Sequence, residues 1–206
     1  MEPAPLPADP LLASALVGRG DSLEERERIA ELNRKRDWEG LSRYAEERQR
    51  RDPEGSDWGV VLAYAWVRRG DYPKATAALS RVIQRNPEDI GAWNLLGESQ
   101  RQAGQPGQAA RTLERASAIG RTSFATFFLL GEAYRDSNRP DRAVAAYREA
   151  ARLEPDFARA WFELGAAHVR LGERDEIPVA LERLEKLDPT LAVELKKRME
   201  ARPQRP

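Results

Sequence analysis

The chain has 206 residues, 34 basic and 34 acidic side chains, one His and no Cys, so its formal net charge is zero. The lack of Cys excludes disulfides, thiol nucleophiles, iron–sulfur clusters and thiolate zinc sites, and one His excludes a multi-His metal centre. The neutral balance lacks the electrostatic footprint of a general nucleic-acid binder. The longest apolar stretch, Val60 to Val67, is too short to cross a bilayer.

Pro3, Pro5, Pro7 and Pro10 open the chain, and proline at that density favours extended backbone. Asp9-Pro10 is expected to start a short helix carrying Leu11, Leu12, Ala15 and Leu16, which would cover the apolar edge of the first repeat. No basic stretch leads into an apolar one. That points to the cytoplasm, or to the periplasm if a leader has been removed. Arg19-Gly20-Asp21 spells an adhesion tripeptide, but between two helical patterns it reads as a linker. Residues 1–21 are therefore expected to form a Pro-rich extension with one short helix. Ser22 with Glu25 is a capping box for the next helix.

From Ser22 the sequence repeats. Pro53 and Pro87 lie 34 residues apart, as do Pro155 and Pro189, and Pro87 to Pro155 is twice that interval. Units beginning at Ser22, Ser56, Ile90, Phe124 and Ala158 place each of these prolines at unit position 32; the third unit has Arg121 there. Position 4 holds Trp93, Phe127 and Trp161. Position 7 holds Leu62, Leu96, Leu130 and Leu164, and position 8 holds Ala63, Gly97, Gly131 and Gly165. Position 11 holds Leu32, Trp66, Gln100, Tyr134 and His168. Positions 4, 7, 8 and 11 share one face of a helix. Gly70, Gly104, Asn138 and Gly172 at position 15 suit a left-handed helix end. Pro73, Pro106 and Pro140 then suit the first turn of a second helix, where a missing N–H costs little. Small residues at position 20 (Ala75, Ala109, Ala143) let the two helices approach; Leu79, Leu113, Tyr147 and Leu181 occupy position 24. The second unit has Trp58-Gly59 where the aromatic belongs, which predicts a one-residue slip. The first has Glu25 and Arg28 in core columns but keeps Trp38, Leu41 and Tyr44, as a solenoid end facing water requires. Downstream, Leu191, Leu195 and Met199 recur every four residues, which predicts an amphipathic capping helix within 192–206; Lys196, Lys197 and Arg198 form its solvated face.

Over residues 22–191 these columns resemble the tetratricopeptide repeat (TPR) family. The resemblance implies an all-α fold: a right-handed α-solenoid of about five helix pairs, with an N-terminal extension and a C-terminal capping helix. It also implies a concave groove lined by the first helix of each pair at positions 2, 5, 9, 12 and 13. Carried onto this chain, those positions are Val60, Tyr64, Val67 and Arg68; Asn94, Glu98, Arg101 and Gln102; Phe128, Glu132, Arg135 and Asp136; and Arg159, Phe162, Val169 and Arg170. Val60, Tyr64, Phe128 and Phe162 are expected to be exposed on that wall and to meet a partner's apolar side chains. Arg34, Arg68, Arg101, Arg135 and Arg170 form a row that suits an acidic or C-terminal peptide. A helix macrodipole alone also favours Arg at these places, and the N-terminal tail or the C-terminal helix is another candidate to fill the groove. The family's chaperone-tail clamp, built on Lys and Asn at positions 5 and 9, is absent: those positions hold Val60 with Tyr64, Asn94 with Glu98, and Phe128 with Glu132.

No phosphate loop, nucleophile elbow or metal motif occurs. His168 reads as a packed core histidine, and Glu98 with Arg101 and Glu132 with Arg135 read as pairs on solvated faces. The sequence thus predicts a non-catalytic adaptor without cofactor or metal, binding a partner protein rather than nucleic acid or membrane. The alternative is a scaffold, or an assembly or secretion chaperone, that acts through homo-oligomerisation. The bias of 29 Arg to 5 Lys leans towards GC-rich codons and a bacterial source.

Overall fold

Three of the first helices are set by a polar residue whose side chain takes an orphan N–H of the opening turn. Ser22, Asp89 and Ser123 cap them in this way, and Ser22 with Glu25 makes the full reciprocal box. The computed structural model describes residues 19–20, 22–53, 57–119 and 123–201. Among these are α1 (Leu23–Arg34), α2 (Trp38–Arg51), α3 (Asp57–Arg69), α4 (Tyr72–Arg85), α5 (Ile90–Gln102), α6 (Pro106–Ile119), α7 (Phe124–Asp136), α8 (Pro140–Leu153), α9 (Ala158–Leu171), α10 (Ile177–Leu187) and α11 (Pro189–Ala201). No strand occurs among the described residues. The extension's predicted helix and the tail after Ala201 lie outside them.

The chain divides into two compact units, residues 1–119 and 120–206. Unit 1 holds the hairpins α1/α2, α3/α4 and α5/α6. Unit 2 holds α7/α8 and α9/α10, with α11 packed on α9 and α10.

The turn inside every hairpin opens on the same backbone conformation. Arg36, Gly70, Gly104, Asn138 and Gly172 all have φ between 54° and 83°, the left-handed conformation expected of position 15. The second helix starts at position 17 in four of the five repeats, with Pro106 and Pro140 as first residues and Pro73 as second. Repeat two therefore keeps the common register, contrary to the predicted slip. Trp58 has instead moved one place along the helix, and it packs edge-on against Tyr44 at 5.6 Å. Repeat five departs: a 3-10 turn, Arg174–Glu176, delays α10. Ala180 and Leu184 consequently fill the core, while Leu181 is only half-buried.

The glycines of position 8 mark where helices touch. A Cβ on Gly97 would lie 2.5 Å from Leu113, and one on Gly131 would lie 2.5 Å from the Tyr147 ring. In the fifth repeat the same position, Gly165, meets Leu195 of α11 at 2.5 Å, so α11 supplies the side chain that the hairpin's own second helix supplies in the other two. Trp93, Phe127 and Trp161, expected inside the stack, are half-buried. The indole N–H groups of Trp93 and Trp161 donate to the carbonyls of Pro87 and Pro155, each at 2.8 Å, tying position 4 to the proline that closes the previous repeat.

Candidate functional site

The inner-face positions divide by unit. In unit 1, Val60, Tyr64 and Val67 on α3 are buried rather than exposed. Tyr64 is edge-on to Trp38 at 6.1 Å, and its hydroxyl donates to Asn33 at 3.1 Å. Arg68 is exposed and lies over the Trp38 ring at 4.9 Å. On α5, Asn94 is fully buried with neither amide atom hydrogen-bonded. Glu98 is 3% exposed and takes both Arg101 nitrogens at 2.8 Å and Gln102 at 2.5 Å. The Glu98–Arg101 pair is therefore buried on its acidic side, not solvated as the sequence suggested. The i,i+3 spacing fixes the pair but says nothing of the wall behind it.

Unit 2 repeats the pattern with more aromatic packing. Phe128, expected on an open wall, is 2% exposed because Tyr147 and Phe157 close on it at 5.8 and 5.1 Å and Arg159 covers it at 5.4 Å. Phe162 is buried under Arg198 of α11 at 4.6 Å. Val169 is buried too. The aromatics thus belong to the repeat core. Position 5 points at the next repeat and the capping helix, so their side chains fill helix junctions.

On the inner face of unit 2 a cleft of about 310 Å³ is lined by Arg135, Tyr147, Glu163, Ala166, Val169, Arg170, Arg198 and Ala201. Arg135 stands at its centre. It meets Glu132 at 2.6 Å, Glu163 at 3.1 Å and Asp136 at 3.1 Å. Burial opposes its charge, but Glu132 above all, with Glu163 and Asp136, holds the guanidinium more firmly protonated than a free one. The Tyr147 hydroxyl donates to Glu132 at 2.7 Å. Burial, then the Glu132 and Glu163 carboxylates, pushes its pKa far above 10.0. Arg170 is exposed at the rim, reaching Asn138 Oδ1 at 3.1 Å. Arg198 is half-exposed, with Glu194 beside it at 3.4 Å. The cleft therefore has an apolar floor, a neutralised centre and two accessible guanidiniums.

The sequence brought Arg135, Val169 and Arg170 to this place. It missed Tyr147, Glu163 and Arg198, which come from a second helix, from a position of α9 outside the family's groove set, and from the capping helix. The signal for Tyr147 was present: a tyrosine in a column otherwise filled by Leu and Ala. His168 is buried as expected, with Nδ1 2.7 Å from Glu173. A second, wider cleft beside it, about 600 Å³, is lined by charges of both signs. Among the described residues no cluster of three or more His, Asp or Glu is placed to hold a metal, and no helix is long and apolar enough to cross a membrane.

A family model described as tetratricopeptide repeat matches residues 51–133, and one described as TPR repeat matches residues 131–172. No curated protein matches the sequence. Among solved structures, TTC0263, a thermophilic TPR protein of Thermus thermophilus, is similar with a TM-score of 0.67 at 19% identity, over 84% of this chain and 96% of that one. MamA from Desulfovibrio magneticus RS-1 is similar with a TM-score of 0.64 at 23% identity, over 87% and 98%. YrrB, described as a TPR protein with an unusual peptide-binding site, scores 0.63 at 18% identity, over 82% and 88%. At these identities the likeness is one of fold: an α-solenoid of helix hairpins.

Proposed function

Because the chain belongs to the tetratricopeptide repeat family, whose repeats act as protein–protein interaction modules, we propose that it holds a partner polypeptide on the inner face of unit 2. The carrying observation is the cleft between α9 and α11. Its floor of Ala166 and Val169 suits one apolar side chain, and Arg170 with Arg198 suits a carboxylate beside it. Arg135 is already engaged by three carboxylates, so it shapes the floor rather than gripping the ligand. The ligand is then a peptide with an apolar residue next to an acidic side chain or a free C-terminus. YrrB, with its peptide-binding site, lends the same reading to the fold. On this reading Arg135, Tyr147 and Glu132, locked in mutual contacts, shape the cleft that receives the partner.

The test is a display screen of peptides against the full chain. Enrichment of apolar-acidic sequences is expected. It should be lost in Arg170→Glu combined with Arg198→Glu, with helical content unchanged. The same enrichment in that variant would sink the unit 2 site.

A further inference from the structure

Position 15, the bend of each hairpin, holds Gly in three repeats and Asn in a fourth, and these residues tolerate a positive φ. The first repeat has Arg36 there, at φ 54°. A Cβ in that conformation crowds the following carbonyl, and glycine would relieve it. Such an outlier is a reason to look for a use of the side chain. Arg36 makes no contact within the chain that would offset the strain. Its side chain is exposed and has no partner among the described residues, and the same holds for Arg34 at the end of α1. Trp38, the first residue of α2, follows directly. Its half-buried ring is edge-on to Tyr64 at 6.1 Å and carries the Arg68 guanidinium at 4.9 Å. A guanidinium stacked on an indole is held in place and keeps its N–H edge for an acceptor. Asn33 ties this end of α1 to α3 by accepting from the Tyr64 hydroxyl at 3.1 Å.

The carboxylates nearby are already engaged. Glu31 meets Lys35 at 2.5 Å and Arg28 at 2.6 Å, and Asp71 meets Lys74 at 2.7 Å. Asp37 caps α2 by accepting the Gly40 N–H at 2.8 Å. The third hairpin has only Ala103, Gly104 and Gln105 at its turn, so the basic edge is confined to the first two hairpins. We propose that this edge of unit 1, formed by Arg34, Arg36 and Arg68 around Trp38, docks a short acidic segment of a partner protein. Charge complementarity decides the kind of partner. Each guanidinium can hold a carboxylate in a fork, and the half-buried indole offers apolar contact beside them. The positive field is too local for a nucleic acid or an anionic membrane: the net charge of the chain is zero, and Glu31, Asp37 and Glu39 flank the arginines and would repel a longer polyanion. This surface shares no residue with the unit 2 cleft and does not rest on that reading.

The probe is a dye-labelled hexaglutamate peptide, with hexaglutamine as control, titrated against the full chain by fluorescence anisotropy at two salt concentrations. The glutamate peptide alone is expected to bind, more weakly as salt rises. Arg34→Gln combined with Arg36→Gly should weaken binding by about tenfold or more. The thermal midpoint of that variant should hold or rise, because glycine suits the bend, so unfolding is not the cause of the loss. Arg170→Glu combined with Arg198→Glu should leave hexaglutamate binding unchanged. Binding that survives the Arg34 and Arg36 changes, or that is lost with Arg170 and Arg198 instead, overturns the proposal. So does a failure of hexaglutamate to bind the parent protein. A thymidine oligonucleotide or phosphatidylserine vesicles binding the parent more tightly than the peptide also overturns it.

Discussion

Gly131 and Gly107 make opposite demands on the same added methyl group. At Gly131 the new Cβ would lie 2.5 Å from the Tyr147 ring, and that ring cannot swing away because its hydroxyl is held by Glu132 at 2.7 Å. Gly131→Ala is expected to cost about 1–3 kcal/mol in urea unfolding. At Gly107, in the first turn of α6, the Cβ meets nothing within 4 Å, so Gly107→Ala should stabilise by about 0.4–1 kcal/mol. Tyr147 also gives a pH dependence. Its folded pKa is raised above 10.0, so its contribution is fully present below pH 10.0 and is lost as pH rises beyond it. Unfolding followed by circular dichroism should therefore show an alkaline loss of stability that Tyr147→Phe reduces. The glycine column was legible in the sequence as a close approach of two helices. The environment of Tyr147 was not, because burial of Glu132 and Glu163 beside it depends on contacts between α7, α8 and α9 that no spacing encodes.

At the scale of the element, α11 completes the packing of the fifth hairpin. Leu195 is fully buried and occupies the space left by Gly165. Leu195→Ala is expected to cost about 2–5 kcal/mol, read from the urea midpoint of the full chain. Trp161→Phe removes the indole N–H bond to Pro155 together with part of the ring that Arg183 covers, and should cost at least about 0.5–1.5 kcal/mol. The sequence reading located the Leu191, Leu195 and Met199 stripe, and the shared hairpin turn stems directly from Gly or Asn at position 15. It did not locate the 3-10 turn at Arg174–Glu176. That turn replaces no hydrophobic residue; it only delays α10, and so exchanges Leu181 for Ala180 and Leu184 at the interface.

For the whole molecule, stability in stacked hairpins is a sum of nearest-neighbour terms. Leu184→Ala should accordingly speed amide hydrogen exchange mainly within residues 158–201, with α3 and α4 little changed. Exchange rising equally in both units would contradict that locality. On the proposed reading the protein should also sediment as a single chain of 23.2 kDa across concentration; mass growing with concentration would favour the scaffold reading. The architecture was legible because a 34-residue period repeats each local signal five times. The binding face was not, because the period marks which positions face inward but not what covers them. Phe128 went under Phe157 and Arg159, and Phe162 under Arg198.

The left-handed residue at the bend of every hairpin has a bearing on the history of such a chain. Since Arg36, Gly70, Gly104, Asn138 and Gly172 hold one shared backbone state, each bend is an interchangeable joint. Gene duplication in blocks of one period inherits a working joint at no structural cost, whereas a single-codon insertion there would rotate every downstream side chain off its face. Lineages of this protein are thus expected to differ by whole hairpins, with the joint residue drifting among Gly, Asn and the occasional Arg.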